Sequence, residues 1–360
     1  MRFHQPRTQF YCGVDLHARN LYLCVVDRDG NIHKHQKYRC HPDLLLKAIE
    51  PFRPDLTVSA ECMFAWYWLA DLCAEEGIEF ALGHALYMRA IHQGKTKNDR
   101  IDSEKIARLT QSGMLPTAYV YPRELRGLRD LLRRRLKFVR TRAQLYTHVH
   151  CLRTQANMPA RGVAPQSKTK RRAIPATFDN PDVQLSVRSD IDLMRFYDTT
   201  VDRMERYLLK RAKDCRPREM RILQSIPGVG VITALTILLE LDSVDRFPRR
   251  QDFASYSRLV KCPRESDGKR YGSGGKKMGN PYLKWAFSEA AVHVSEWCKP
   301  VNALLKKLEA RHGKGKGKSL LAHKLGRTVY YMLLRGTVFD EAKFLNLKPQ
   351  PETAIMDDPH

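Results

Sequence analysis

The stretch Phe10-Tyr-Cys-Gly-Val-Asp-Leu-His17 sets one carboxylate, Asp15, in an apolar run whose alternation predicts a half-buried strand over Phe10 to Val14. Downstream, Leu21 to Asp27 reads as a second strand. Asp27-Arg-Asp-Gly-Asn31 reads as a hairpin turn, and Ile32 to Tyr38 as a third strand, which together make a β-meander. A helix from Pro42 to Ile49 follows, then the strand Leu56-Thr-Val-Ser-Ala60 ending in Glu61. Next come an aromatic-rich helix from Ala65 to Glu76, stopped by Gly77, and a strand from Ile78 to Leu82. Three meander strands followed by alternating helices and strands is, by analogy, the order of the ribonuclease-H-like α/β fold.

Four acids stand at the ends of these elements: Asp15, Glu61, and the pair Asp99 and Asp102 in Lys95-Thr-Lys-Asn-Asp-Arg-Ile-Asp102. A buried carboxylate without a partner costs several kcal/mol, so Asp15 calls for a compensating group. Asp99 and Asp102 are three apart where a helical pattern over Arg100 to Ser112 begins, which puts both on one helix face. Like charges that close repel unless a cation bridges them, and the four acids therefore read as a metal site for cutting nucleic acid.

Composition points the same way. The 360 residues hold 63 Lys and Arg against 39 Asp and Glu, a net charge of +24, which favours an extended polyanion over a small acidic substrate. The nine cysteines show no zinc-ligand spacing and read as reduced thiols of a cytoplasmic protein, nucleoid-associated through its partner. No segment is apolar enough to imply a membrane span or a signal peptide.

From Pro122 to Met158, Leu125, Leu128, Leu132, Leu136, Val139, Ala143, Tyr146 and His150 repeat at near-heptad spacing, predicting one long basic helix. Pro159 to Thr177 reads as a mobile basic loop. Val183 to Ala212 reads as a second long helix, and the pair suggests a coiled-coil hairpin, within one chain or between subunits. Leu128, Leu132 and Leu136 are the apolar stripe expected to hold subunits together. Further on, Ile222-Leu-Gln-Ser-Ile-Pro-Gly-Val-Gly230 has the pattern of a helix-hairpin-helix motif, with Gly228 and Gly230 letting backbone N–H groups approach a phosphate; an ordinary tight turn between helices is the competing reading.

Pro263-Arg-Glu-Ser-Asp-Gly-Lys-Arg270 and Gly272-Ser-Gly-Gly-Lys-Lys-Met-Gly-Asn280 then read as a cationic, glycine-rich loop ahead of a helix from Pro281 to Glu296. Its cations Arg264, Lys269, Arg270, Lys276 and Lys277 join Lys95, Lys97 and Arg100 as candidate nucleic-acid contacts. By itself, Ser266 in Ser-Asp-Gly is a turn residue more often than a catalyst.

Several of these motifs stand in one order: Gly13-Val-Asp15-Leu-His17, Ala60-Glu61, Lys97-Asn-Asp99-Arg-Ile-Asp102, a long helical spacer, Ile226-Pro-Gly-Val-Gly230 and Gly-Lys-Lys-Met-Gly-Asn280. In that order the chain, from about Phe10 to Gly336, resembles the DEDD transposases of the IS110 insertion-sequence family. The resemblance implies a RuvC-like domain at 8–120 whose four acids match Asp15, Glu61, Asp99 and Asp102 and hold Mg²⁺ or Mn²⁺. It further implies a helical coiled-coil spacer at 121–215, a mostly α C-terminal transposase domain at 216–346 that supplies a serine, and a disordered tail at 347–360. It implies a DNA recombinase that cuts through a phosphoserine link, binds donor and target DNA and a structured noncoding guide RNA, and works as a homodimer or homotetramer, with the serine and the acidic cluster supplied by different subunits. The family serine is usually followed by glycine, whereas Asp267 intervenes here, so Ser273 in Gly272-Ser-Gly274 is the rival to Ser266. Ser266 is preferred because Ser273 lies in the part resembling the family's glycine-lysine segment. A junction-resolvase-like endonuclease would need only the carboxylates, and a nucleic-acid-binding protein with a dead site only the charge.

Of the remaining features, Trp66, Tyr67 and Trp68 read as core before base-stacking groups. His17 returns to the face of Asp15 without a required role. His312 to Ser319, with its alternating Gly and Lys, reads as a flexible cationic loop.

Overall fold

The computed structural model describes residues 2–91, 98–158, 167–274 and 278–346, apart from a few side chains within those spans. Lys95, Lys97, Lys276, Lys277 and the tail 347–360 lie outside them. The chain divides into two compact units, Met1–Glu124 and Leu125–His360.

In the first unit, β1 (Phe10–Leu16), β2 (Asn20–Asp27) and β3 (Ile32–Arg39) form the antiparallel meander. There follow α1 (Pro42–Ile49), β4 (Leu56–Glu61), α2 (Trp66–Glu75), β5 (Glu79–Gly83), α3 (Ala85–Ile91) and α4 (Asp99–Gln111). The strand order is β3-β2-β1-β4-β5, with β1, β4 and β5 parallel, giving a mixed five-stranded sheet of the ribonuclease-H-like order. The meander turn closes as its sequence suggests: the Asp27 carboxylate accepts from the backbone N–H groups of Asp29 and Asn31, and Gly30 takes a positive φ of 87°. β1 runs two residues beyond its expected end at Val14, because Asp15 and Leu16 still pair with Tyr22 and Leu21.

Gly13 decides how α4 meets this sheet. A Cβ there would lie 2.2 Å from the Ser103 carbonyl oxygen and 2.3 Å from the Ala107 nitrogen, so the bare α-carbon lets the helix backbone rest on β1. Two buried hydroxyls lock that contact: Thr110 Oγ1 donates to Ser59 Oγ at 2.7 Å, and Ser59 Oγ donates to the Cys12 carbonyl at 3.1 Å.

The second unit holds nearly all of α5 (Arg123–Gln155), then α6 (Pro181–Ala212), α7 (Pro217–Gln224), α8 (Val231–Leu241), α9 (Arg250–Tyr256), the hairpin β6 (Cys262–Ser266) and β7 (Lys269–Gly274), α10 (Pro281–Trp297), α11 (Lys299–His312), α12 (Lys314–Arg335) and α13 (Glu341–Leu345). α5 and α6 pack antiparallel within one chain. Arg135 pairs with Glu205, Arg142 with Asp198 at 2.6 Å and His148 with Asp190 at 2.6 Å, and Val149 buries against Val187, Ile191 and Met194.

Three expectations change here. Leu128, Leu132 and Leu136 do not offer themselves to a second subunit: all three are buried, and Leu128 and Leu132 join one core with α7, α8, α10 and α12. The described half of the 159–177 segment is packed rather than loose. Ile174 is fully buried beside Val149, and the guanidinium of Arg171 is buried against Asp198. The glycine-lysine run after His312 is the first turn of α12, since Gly317 lets that helix pass against Glu309 of α11, where a Cβ would meet the backbone nitrogen at 2.9 Å.

The start of α10 is tied to α5 through α8. Glu240 is buried and accepts from Arg129 at 3.0 Å, Arg133 at 2.6 Å and Asn280 Nδ2 at 2.7 Å, while Asn280 Oδ1 caps α10 by accepting from Tyr282 and Leu283 N–H. Burial alone would raise the Glu240 carboxyl, but the Arg133 hydrogen bond and the two arginine charges hold it below the usual range.

Candidate metal site and nucleic-acid surfaces

Because β1 and β4 run parallel in register, with Val14 opposite Ala60, the next residues Asp15 and Glu61 emerge at the same edge, the carboxyl ends of the strands. α4 begins at that edge. Its N-cap Asn98 accepts from Arg100 N–H, and Asp99 and Asp102 occupy its first turn, where the helix dipole favours negative charge.

Donor atoms of Asp15, His17 and Asp99 lie within 4.8 Å of one another. His17 Nε2 is 3.2 Å from Asp15 Oδ2 and 3.3 Å from Asp99 Oδ2, and so sits between the two carboxylates. Burial raises the Asp15 carboxyl above its ordinary pKa. His17 opposes the shift, while the charges of Asp99 and Asp102 add to it. Asp102 is further held by Lys105 at 3.2 Å. The expected four acids thus divide. Asp15 and Asp99 converge, Asp102 acts on Asp15 through its charge, and half-buried Glu61 stands at the adjoining strand end outside the converging trio.

His17, whose role sequence reasoning left open, is the third member. The signal was present in Asp15-Leu-His17, since alternation along a strand returns the imidazole to the carboxylate's face. Two oxygens and one imidazole nitrogen suit a hard or borderline divalent cation.

Ser266 is exposed at the last position of β6 and pairs in register with Lys269 across Asp267-Gly268. Both turn residues have positive φ, 50° and 69°, the geometry of a tight two-residue hairpin. The expected loop is therefore a hairpin, because Asp-Gly is the dipeptide that such a turn favours. Ser273 lies on the other strand, paired with Pro263; Arg264 and Arg270 fall in β6 and β7. Gly228 (φ 79°) is pressed against His293 of α10, where a Cβ would lie 2.9 Å from the backbone, so packing accounts for it. Gly230, at the N-cap of α8, faces open space. Of the aromatics after Glu61, Trp66 is buried, whereas Phe64, which the sequence did not single out, is exposed. No described helix is long and apolar enough to cross a membrane.

Comparison with known proteins covers both units. The DEDD-type IS110 transposase family matches residues 12–157, and the family described as Transposase IS116/IS110/IS902 matches residues 220–306. The transposase for insertion sequence element IS1111A of Coxiella burnetii is 23% identical over 337 residues, spanning 90% of this chain and 89% of that protein. The transposase for insertion sequence element IS1328 of Yersinia enterocolitica is 25% identical over 348 residues, spanning 91% and 98%. Acids gathered at one end of a mixed sheet, in a chain matched along most of its length by transposases, define the class: a DEDD transposase, an enzyme acting on DNA. The chain belongs to the IS110 family.

Proposed function

We propose that this transposase mobilises its insertion sequence by cutting and rejoining DNA through a serine-linked intermediate, with an element-encoded noncoding RNA choosing the partners. The observation that carries the metal part is the convergence of Asp15, His17 and Asp99 within 4.8 Å at the strand ends of a chain with a net charge of +24. Asp15, Asp99, Glu61 and Asp102 would hold Mg²⁺ or Mn²⁺, which supplies charge stabilisation for the phosphate oxygens during displacement.

Ser266 Oγ attacks the phosphorus, the bond from phosphorus to the leaving strand oxygen breaks, and the serine proton passes to solvent while that oxygen leaves as a hydroxyl. The exposed position beside a tight turn supports this role, since the hydroxyl has open space for a phosphodiester. Arg100, Lys269, Arg264, Arg270 and the α8 N-terminus at Gly230 are the proposed phosphate contacts, with Lys95, Lys97, Lys276 and Lys277 as sequence candidates. For a homodimer or homotetramer, the contact we propose is the outer face of α6, where Leu185, Leu193, Phe196 and Tyr207 fall within one quarter of the helix circumference and are exposed.

The test is to incubate the protein with Mg²⁺, the flanking-sequence RNA and nicked element-end DNA, denature, and look for a protein–DNA adduct. Ser266→Ala is expected to abolish the adduct and Ser273→Ala to retain it. The reverse pattern moves the nucleophile to Ser273, and cleavage without an adduct in any variant means that water attacks, as in a resolvase-like endonuclease.

A further inference from the structure

We propose that Phe64 stacks on a nucleobase of the strand being cut, next to the phosphate held at the acidic site, and so positions that strand. The inference rests on the reading that this edge of the sheet binds the scissile phosphate. Phe64 is 76% exposed and ends the run Cys62-Met63-Phe64, all three of which are exposed, directly after Glu61.

The backbone holds the ring there. Cys62 N–H donates to the Gly83 carbonyl at 2.8 Å and Met63 N–H to the Glu61 carbonyl at 2.7 Å, which pins the run to the strand ends. On the other side Trp66 is buried, edge-to-face with Tyr67 at 4.6 Å between centroids, so the loop is anchored at both ends with Phe64 outside. Three residues span at most about 10 Å, and successive phosphates of a strand are about 3.4 Å apart along the helix axis. The root of the ring therefore lies within about three nucleotides of a phosphate at Glu61.

The chemistry of the partner follows from the setting. A chain of net charge +24 favours a polyanionic partner, and a nucleic acid is the polyanion that also offers flat apolar faces. A duplex keeps those faces stacked on one another. The base that meets Phe64 is therefore one unstacked where the strand is distorted for cutting, and the ring favours that distorted form over intact duplex.

The test uses element-end DNA carrying single 2-aminopurine substitutions at the three positions on either side of the mapped cleavage phosphate. Fluorescence is read in the Asp15→Asn background and cleavage in the otherwise native protein. At one position the Asp15→Asn protein should change the probe's fluorescence, Phe64→Ala should remove that change, and Phe64→Trp should keep it. Phe64→Ala should slow cleavage about 5- to 150-fold, the range that loss of base–aromatic stacking gives. Its thermal midpoint should match the native protein's, because the ring packs on little of the chain. Identical fluorescence with and without the Phe64 ring, native cleavage by Phe64→Ala, or a lowered midpoint would each overturn the proposal. Cleavage that persists in Asp15→Asn alone would instead overturn the metal reading, leaving the fluorescence comparison intact.

Discussion

Replacing Gly13 by alanine should disable the site without touching any of its ligands. The new Cβ would lie 2.2 Å from the Ser103 carbonyl oxygen and 2.3 Å from the Ala107 nitrogen, whereas Cβ contacts under 3.0 Å essentially never occur. The difference, 3.0 − 2.2, requires a displacement of at least 0.8 Å. Both clashing atoms belong to the backbone of α4, so no side chain can turn aside and the helix must move as a body. Asp99 and Asp102 move with it, away from Asp15 on β1. Mg²⁺ accepts ligands only near 2.0–2.1 Å, so such a shift opens the coordination sphere. A misplacement of about 1 Å typically costs about 10²-fold in rate, and overpacking of this kind costs about 1–3 kcal/mol of stability. The assay is Mn²⁺ binding by electron paramagnetic resonance together with Mg²⁺-dependent strand cleavage, both well below the melting midpoint. Gly127→Ala is the control. Nothing lies within 4 Å of a Cβ at that position inside α5, so this variant should gain up to about 1 kcal/mol and keep full activity. Native metal affinity and cleavage in Gly13→Ala would refute the idea that close seating of α4 on β1 builds the site.

Asp15→Asn should stabilise the metal-free protein at neutral pH while abolishing cleavage. Burial raises the folded pKa of Asp15 above its ordinary 3.8, so its contribution to stability is complete below that value and is lost as pH rises through the raised one. The gain in thermal midpoint should therefore be present near pH 7 and vanish toward about pH 4; a variant less stable than native at neutral pH contradicts it. Phe196→Glu combined with Leu193→Glu should lower the mass by light scattering without unfolding the protein, because both side chains are exposed on the outer face of α6. An unchanged mass places the subunit contact elsewhere.

Much of the first unit was legible because its signals are local. The alternation through Phe10 to His17, the Asp-Gly turn of the meander and the helical pattern from Arg100 to Ser112 each act over a few residues, and the strands and α4 form where those patterns lie. The family order of motifs was legible for the same reason. The loop expected around Ser266 was instead a hairpin, although Asp267-Gly268 is a hairpin signal of the kind read correctly at Asp27 to Asn31; the surrounding Gly and Lys masked it.

Sequence by itself determined the elements of the sheet, the basic charge and which acids stand at strand or helix ends, since periodicity and charge belong to the chain wherever it folds. Only the tertiary structure decided which groups meet. Parallel pairing of β1 with β4 brings Asp15 and Glu61 to one edge across 46 positions of chain, and Gly13 admits α4 closely enough to set Asp99 beside His17. The heptad leucines of α5 turned inward for the same kind of reason. An apolar stripe specifies that a partner surface is needed but not whose, and for Leu128 and Leu132 the same chain supplies it from α7, α8, α10 and α12.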